Sequence, residues 1–273
     1  MKNVLNKIFN KDKNILIGAI HFAPLFGYKD FPGYEITLKN AMEDLIAFQD
    51  GGFDGVIIEN NYDIPHKIFV DKETVDLMTR LGKEIKEKSK IPLGVSVLWN
   101  DYKSALSIAK NIGAQFIRVP VFIDSVKTDY GEVIADPESV LEYRKKIKAE
   151  DIAIFTDIHV KHAELLEKRT IEESAVLATE KESDALIITG RWTGEAPDLK
   201  ELKSVANAVK DFPILIGSGA DFNNIANLLK YTNGAIVGTS LKEGDKKELE
   251  VNVKSWEQRI SLDKVNHLRN SLK

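Results

Sequence analysis

Eight short apolar runs, each followed by a stretch with helical periodicity, constrain this chain more than any other feature. They are Ile15–Ile20, Gly55–Ile58, Leu93–Leu98, Phe116–Val121, Ile152–Ile158, Ala185–Thr189, Ile214–Ile216 and Ala235–Val237. Each is mostly β-branched or aliphatic, as in a strand buried on both faces. Between them, Leu38, Ala41, Met42 and Leu45 recur at i, i+3, i+4 and i+7, as do Ala105, Ile108, Ala109 and Ile112. Phe222, Ile225, Ala226 and Leu229 repeat that spacing, and Leu199, Leu202, Val205, Ala206 and Val209 mark another helix. Such spacing puts one apolar stripe on each helix. No Asn-Gly or Asp-Gly hairpin joins one run to the next; Asp50-Gly51 and Asp54-Gly55 stand just before a run. Strand then helix, repeated, means parallel strands with helical crossovers.

The connections differ by direction. Helix-to-strand links are tight, as in Asp50-Gly51-Gly52-Phe53 and Ile112-Gly113-Ala114, with Gly51 and Gly113 expected at left-handed helix stops. Strand-to-helix links are long: His21–Glu35, Asn60–Glu73 and Phe122–Pro137. Loops of that length in a compact domain usually carry function. A (β/α)8 barrel takes about 250 residues and places its site on the loops at the strand C-termini. The 273 residues therefore read as a single α/β TIM barrel spanning 1–273. Residues 1–13 form a short helical cap, 242–252 a charged solvated loop and 262–272 the last helix. An open doubly wound sheet is the alternative, because periodicity does not show closure.

Composition narrows the function classes. Lys plus Arg is 38 against 42 Asp plus Glu, a net charge of −4, which lacks the basic excess that nucleic-acid binding usually requires. The absence of cysteine excludes disulfides, thiol catalysis and Cys-bound zinc. No run approaches the roughly 20 apolar residues of a membrane span, and Met1–Asn10 lacks the apolar stretch of a signal peptide. A cytoplasmic protein without nucleic-acid partner or membrane insertion is expected; a homo-oligomer stays open.

The strand ends carry the chemistry. Gly217, Ser218 and Gly219 follow the seventh run, and Gly238, Thr239 and Ser240 the eighth. Glycines let a backbone approach an anion, and the loops after strands seven and eight of a barrel frequently hold phosphate. Asp221 is a candidate N-cap for the helix that follows. Two tight turns without a ligand would need the same glycines.

On the fifth run, Asp157, His159 and Lys161 fall at i, i+2 and i+4, so an extended chain puts them on one face, with Ile158 and Val160 on the other. Carboxylate, imidazole and amine together suit proton transfer, or a metal and its base. A polar rim with a satisfied ion pair is the bland reading. His162 reads as a loop or helix-start residue. Arg118, inside an apolar run, needs a partner such as Glu59 or Asp157, or a substrate anion. His21 and Glu59 end the first two runs and can converge on the same mouth. Asn60, Asn61 and Asn100 are orienting amides or turn formers, and Trp99 and Trp192 are stacking or packing residues. Two arrangements remain open. In one, His21, Glu59, Asp157 and His159 hold a divalent metal with Lys161 as acid–base. In the other, His159 or Glu59 removes a proton next to a carbonyl and Lys161 or Arg118 stabilises the enolate. A lysine Schiff base would require a dry pocket around Lys161. The chain has no G-x-S-x-G, H-E-x-x-H, P-loop or G-x-G-x-x-G motif, so no nucleotide cofactor is evident.

At these residues the chain resembles the BtpA family. The matching pieces include Ile20-His21-Phe22-Ala23-Pro24-Leu25, Phe53-Asp54-Gly55-Val56-Ile57-Ile58-Glu59-Asn60 and Val97-Leu98-Trp99-Asn100-Asp101. They continue with Phe116-Ile117-Arg118-Val119, Thr128-Asp129-Tyr130-Gly131 and Asp157-Ile158-His159-Val160-Lys161-His162-Ala163. Ile216-Gly217-Ser218-Gly219 and Val237-Gly238-Thr239-Ser240-Leu241-Lys242 complete them. The strand-five piece is the most specific. The resemblance implies a barrel like those that bind phosphorylated sugars. The family takes its name from a member needed for photosystem I accumulation, and no agreed catalytic residues can be carried over from it. Two expectations follow. One is an enzyme, an isomerase, epimerase or lyase, acting on a small phosphorylated metabolite such as a sugar phosphate. The other is a non-catalytic assembly factor for a membrane complex.

Overall fold

The computed structural model describes residues 4–244 and 254–272. In chain order the elements begin with α1 (Val4–Phe9), β1 (Ile15–His21), α2 (Tyr34–Asp50), β2 (Gly55–Glu59), α3 (Lys72–Lys88), β3 (Leu93–Ser96) and α4 (Tyr102–Ile112). Next come β4 (Phe116–Val119), β5 (Val126–Thr128), β6 (Gly131–Val133), α5 (Pro137–Lys146), β7 (Ala153–Ile158), β8 (Glu164–Leu165) and α6 (Ile171–Glu180). The chain continues with β9 (Ala185–Ile188), α7 (Leu199–Val209), β10 (Ile214–Ile216), α8 (Ile225–Leu228), β11 (Gly234–Val237) and α9 (Leu262–Asn270). Eight strands close into a parallel barrel in the order β1-β11-β10-β9-β7-β4-β3-β2, so the closed (β/α)8 barrel, not the open sheet, is what the alternation builds.

The core has two layers because successive strand residues face opposite sides. One layer, between strands and helices, includes Leu16, Ile20, Val56, Ile58, Val95, Ile117, Ile154, Leu186 and Ile216. The other fills the barrel with Ile15, Ile17, Ala19, Ile57, Phe116, Phe155, Ile187, Leu215 and Ile236. From below, α1 adds Leu5 and Phe9 to that inner layer, with Phe9 edge-on to Phe116 at 5.8 Å and Phe116 stacked on Phe155 at 4.7 Å. Continuing the same alternation upward puts His21, Glu59, Arg118, Asp157, Gly217 and Gly238 on the inward face at the top of their strands.

Gly94 on β3 is fixed by this packing: a Cβ there would lie 2.2 Å from the Phe116 ring. Gly94→Ala should therefore cost about 1–3 kcal/mol by overpacking. Much of that cost should vanish in a Phe116→Leu background, a coupling that a double-mutant cycle by urea denaturation measures. Additive effects would show that the ring has room to move.

Helix ends follow local chemistry. The Asp101 carboxylate accepts the Ser104 N–H at 3.0 Å to start α4, and Gly113 ends it at φ 71°. Thr170 and Glu173 form a reciprocal capping box on α6. Four sequence expectations need correction. The left-handed stop after α2 is Gly52 (φ 72°), not Gly51, which is right-handed and pressed against Val265 of α9. The helix expected across Phe222–Leu229 is reduced to α8; Asp221 caps a turn ahead of it, accepting from the Asn223 and Asn224 N–H groups. Within the expected charged loop 242–252, Lys242 is fully buried, its Nζ donating to Tyr62 Oη at 2.9 Å; residues 245–252 lie outside the described ones. The long connection after β4 folds into a hairpin, β5–β6, which β8 joins as an antiparallel three-stranded sheet. It packs over the mouth through Val126 and Val133 on Trp99, Val121 and Val160. Among the described residues no helix is long and apolar enough to cross a membrane.

Candidate functional site

A cavity of about 1220 Å³, counting its solvent-open mouth, lies at the C-terminal ends of the barrel strands. Its floor is a cluster of charges that strand register assembles. His21 on β1 pairs with Glu59 on β2, and Arg118 on β4 neighbours the backbone of β7. Arg118 forks onto Asp157, with Nε to Oδ1 at 2.8 Å and Nη2 to Oδ2 at 2.7 Å, and its Nη1 reaches Glu59 Oε1 at 3.4 Å. The His21 Nε2 lies 3.4 Å from Glu59 Oε2. Burial would raise the Glu59 carboxyl, but the His21 hydrogen bond and the Arg118 charge outweigh it and hold it at about 2. Burial lowers the His21 pKa, so its neutral ring donates to an ionised Glu59.

Lys161 reaches the same cavity from the loop after β7, its backbone N–H held by Thr189 Oγ1 at 3.2 Å. Among the described residues its ammonium has no ion-pair or hydrogen-bond partner, because Arg118 and His21 already engage the carboxylate oxygens of Glu59 and Asp157. Burial and then the Arg118 charge bring its pKa down to about 8.

Beside that floor, Gly217–Asp221 and Gly238–Ser240 line one wall. Some of their polar groups are occupied. The Gly217 N–H bonds Ile188 O at 2.9 Å, and the Ser218 hydroxyl accepts from Gly190 N and donates to Glu195 O, both at 3.0 Å. The Ser240 hydroxyl donates to Ala220 O at 2.8 Å, tying the two loops together. The backbone N–H groups of Gly219, Ala220, Thr239 and Ser240, and the Thr239 hydroxyl, have no partner among the described residues. Four free N–H donors on two loops of one cavity wall suit an anion. At the rim, Asp221 sets a carboxylate near this wall, turned into its own backbone.

The far wall comes from Asn61 and His66 after β2, Trp99 after β3, Asp129 and Tyr130 at the hairpin turn, Val160 and His162 after β7, and Thr193 after β9. His66 stands edge-on to Tyr130 at 5.2 Å and His162 edge-on to Trp192 at 5.2 Å. Burial lowers both imidazoles to about 4, with the Lys161 charge adding to the effect on His162.

Several expected site residues are elsewhere. The single strand face expected for Asp157, His159 and Lys161 does not form: Asp157 faces inward on β7, beneath the cavity lining, and Lys161 enters the cavity from the loop beyond the strand. Strand β7 ends at Ile158 and His159 takes a left-handed φ of 50°, which turns its ring away from the cavity, with Nε2 3.3 Å from Ser174 Oγ on α6. Val160 is thereby turned inward instead. Asn60 and Asn100 do not line the cavity. Asn60 clamps the Leu98 backbone, accepting its N–H at 2.7 Å and donating to its carbonyl at 3.1 Å, and Asn100 holds Val121 in the same way at 2.8 and 3.0 Å. His21, Glu59, Asp157 and His159 do not gather as a ligand set: Arg118 sits between the carboxylates, and His159 faces α6. Among the described residues no group of three or more His, Asp or Glu is placed to hold a metal ion. His66 and Thr193 carried no local signal, since long loops bring them to the mouth; Asp129 and Tyr130 stood in one of the pieces that resemble the family but were given no role. His162 stood in the most specific piece of sequence and was read as a loop residue only.

A family model described as the BtpA family matches residues 12–264. The photosystem I biogenesis protein BtpA of Synechocystis is 37% identical over 232 residues, covering 84% of this chain and 80% of that protein. An uncharacterised protein of Methanocaldococcus jannaschii is 36% identical over 254 residues, covering 92% and 95%. Among solved structures, (S)-3-O-geranylgeranylglyceryl phosphate synthase of Thermoplasma acidophilum, in complex with sn-glycerol-1-phosphate, aligns over 100% of this chain and 99% of its own at TM-score 0.61 and 16% identity. N-(5'-phosphoribosyl)anthranilate isomerase of Pyrococcus furiosus aligns over 95% and 98% at TM-score 0.53 and 14% identity. At these identities the solved structures speak for the fold alone.

Proposed function

The chain belongs to the BtpA family, and from that premise we propose that it is a cytoplasmic enzyme acting on a small phosphorylated metabolite, a sugar phosphate, at the mouth of its barrel. The observation that carries this reading is one cavity shared by two kinds of group: the free N–H donors of Gly219, Ala220, Thr239 and Ser240 on one wall, and a floor of Glu59 and Arg118, the latter anchored from beneath by Asp157, with Lys161 beside it. The N–H groups receive the phosphate. Lys161 then meets the carbonyl or hydroxyl carbons, where it moves a proton or stabilises an enolate, as isomerisation, epimerisation or aldol-type cleavage demands. Glu59, held ionised at about 2, is too weak a base to lead; its role is to keep His21 and Arg118 oriented. His159 has no part in this scheme. The glycerol phosphate synthase and the phosphoribosyl isomerase named above have phosphorylated ligands, which supports the choice of ligand class. The alternative, a non-catalytic assembly factor for a membrane complex, draws on the name of the Synechocystis relative. Of the exposed large apolar side chains, Phe26, Ile64, Phe69, Ile134 and Leu166 belong to strand-to-helix connections, while Ile36 and Ile46 lie on α2.

Titration calorimetry with glycerol phosphate and a panel of pentose and hexose phosphates tests the reading. At least one ligand should bind wild type. Gly238→Asp, which sets a carboxylate beside the Thr239 and Ser240 N–H groups, should weaken it by on the order of a hundredfold, about 2.7 kcal/mol. Equal binding by both proteins, or no binding of any phosphate, refutes the site.

A further inference from the structure

We propose that Lys161 is a covalent nucleophile, forming an imine with an aldehyde or ketone carbon of its ligand. The inference rests on the cavity described above and deepens the reading of its chemistry. A lysine at the bottom of a polar cavity is ordinarily tied to a carboxylate, and two carboxylates stand nearby. Both are already engaged. Each Asp157 oxygen accepts from Arg118, at 2.8 and 2.7 Å, and Glu59 divides its oxygens between Arg118 and His21, each at 3.4 Å. Arg118 holds these carboxylates more firmly than a lysine would, because its planar fork matches the carboxylate of Asp157. Lys161 is left as an amine without a partner among the described residues, facing the ligand space.

The groups that set its protonation are Arg118 from β4, Glu59 from β2, Asp157 from β7, His21 from β1 and His162 beside it in the loop. Burial and the Arg118 guanidinium disfavour a second cation, the two carboxylates favour it, and the balance sits at about 8. His21 and His162, both lowered, are neutral near pH 7 and add no cation to this group. An amine of this kind is free in part at neutral pH, which is the condition for nucleophilic attack.

In the proposed step the Lys161 nitrogen lone pair attacks the carbonyl carbon and a C–N bond forms. The carbonyl oxygen leaves as water with the two protons the amine gives up. One further proton from solvent converts the imine to its cation. That cation draws electrons from the neighbouring C–H or C–C bond, the demand common to isomerisation and aldol cleavage. Water reverses the addition and frees the lysine, so no oxidant or reductant enters.

Reductive trapping reads the step directly. The full chain is incubated with dihydroxyacetone phosphate, and separately with dihydroxyacetone, and reduced with sodium cyanoborohydride. Adducts are then mapped by peptide mass spectrometry. At pH 7 Lys161 should be labelled on the order of a hundredfold faster than surface lysines, whose ordinary pKa is about 10.4. The Lys161 rate should rise about tenfold per pH unit well below pH 7, about fivefold between pH 7 and 8, and level off above that, while surface lysines keep rising. In Lys161→Arg this peptide should stay unlabelled while surface labelling is unchanged. Labelling of Lys161 no faster than that of surface lysines, with both probes, overturns the proposal. Selective labelling by both probes at equal rates supports the nucleophile but refutes the phosphate site. A preference for the phosphorylated probe supports both.

Discussion

Arg118→Met is expected to destabilise the protein by about 3–5 kcal/mol, the cost of stranding buried carboxylates without their cation. Asp157 and Glu59 are 3% and 4% exposed, and among the described residues the only guanidinium on them is that of Arg118. For a chain of this size the loss corresponds to roughly 6–20 °C in melting temperature, read by calorimetry. Arg118→Lys keeps a charge but loses the fork, and should fall between. The combined Arg118→Met, Asp157→Asn, Glu59→Gln variant should recover much of the loss, since neutral groups tolerate burial better than unpaired ions. The pH dependence has a definite sign. Glu59 is held near 2 against an ordinary 4.5, so its contribution is present above pH 4.5 and fades as pH falls towards 2. The gap between wild type and Arg118→Met should therefore narrow over that window. A loss below 1 kcal/mol at pH 7 would mean that the carboxylates are reached by water.

The second large effect separates two residues that the sequence placed side by side. Lys161→Met should reduce turnover of a phosphorylated substrate by at least about a thousandfold, in the range seen when an acid–base or nucleophilic group is removed. Phosphate binding should persist, because the N–H donors at Gly219, Ala220, Thr239 and Ser240 are untouched. His159→Ala should stay within about tenfold of wild type, since its ring faces Ser174 and not the cavity; its cost is the hydrogen bond to that residue, roughly 1 kcal/mol. Steady-state kinetics on the ligand found by calorimetry measures both. Loss of activity in His159→Ala with normal thermal stability would restore His159 to the mechanism. Full activity in Lys161→Met would remove Lys161 from it.

Both predictions turn on features of different legibility. That Arg118 needs an anionic partner was readable, because a lone charge inside the run Phe116–Val121 is too costly to bury; whether that partner is a carboxylate of the chain or a substrate anion was not. That Asp157 takes both ends of the fork, with Glu59 in a weaker third contact, was not. It depends on the offset between β4 and β7, a geometry that no local pattern encodes. The anion wall was legible in its residues but not in its donors. Gly217 and Ser218 spend their groups on Ile188, Gly190 and Glu195, and the free N–H groups include Ala220, which no motif marked.

The amino-acid sequence by itself determined the alternation of parallel strands with helices and the polar top layer inside the strands; closure into a barrel was decided by the tertiary structure. Strand periodicity is two, so once Ile15, Ile17 and Ala19 face inward His21 must follow, and Glu59, Arg118 and Asp157 obey the same rule on their strands. That rule lasts only as long as the backbone is extended. At Ile158 the strand stops, and one left-handed residue sends His159 to α6, brings Val160 inward and delivers Lys161 to the cavity. The far wall of His66, Tyr130, His162 and Thr193 is likewise a tertiary product. Its residues lie on loops whose paths are set by long-range contacts, such as the Asn60 clamp on Leu98 and the antiparallel sheet of β6, β5 and β8. Local periodicity governs chain inside regular elements; outside them, position is decided by whatever polar and apolar partners the rest of the fold leaves free.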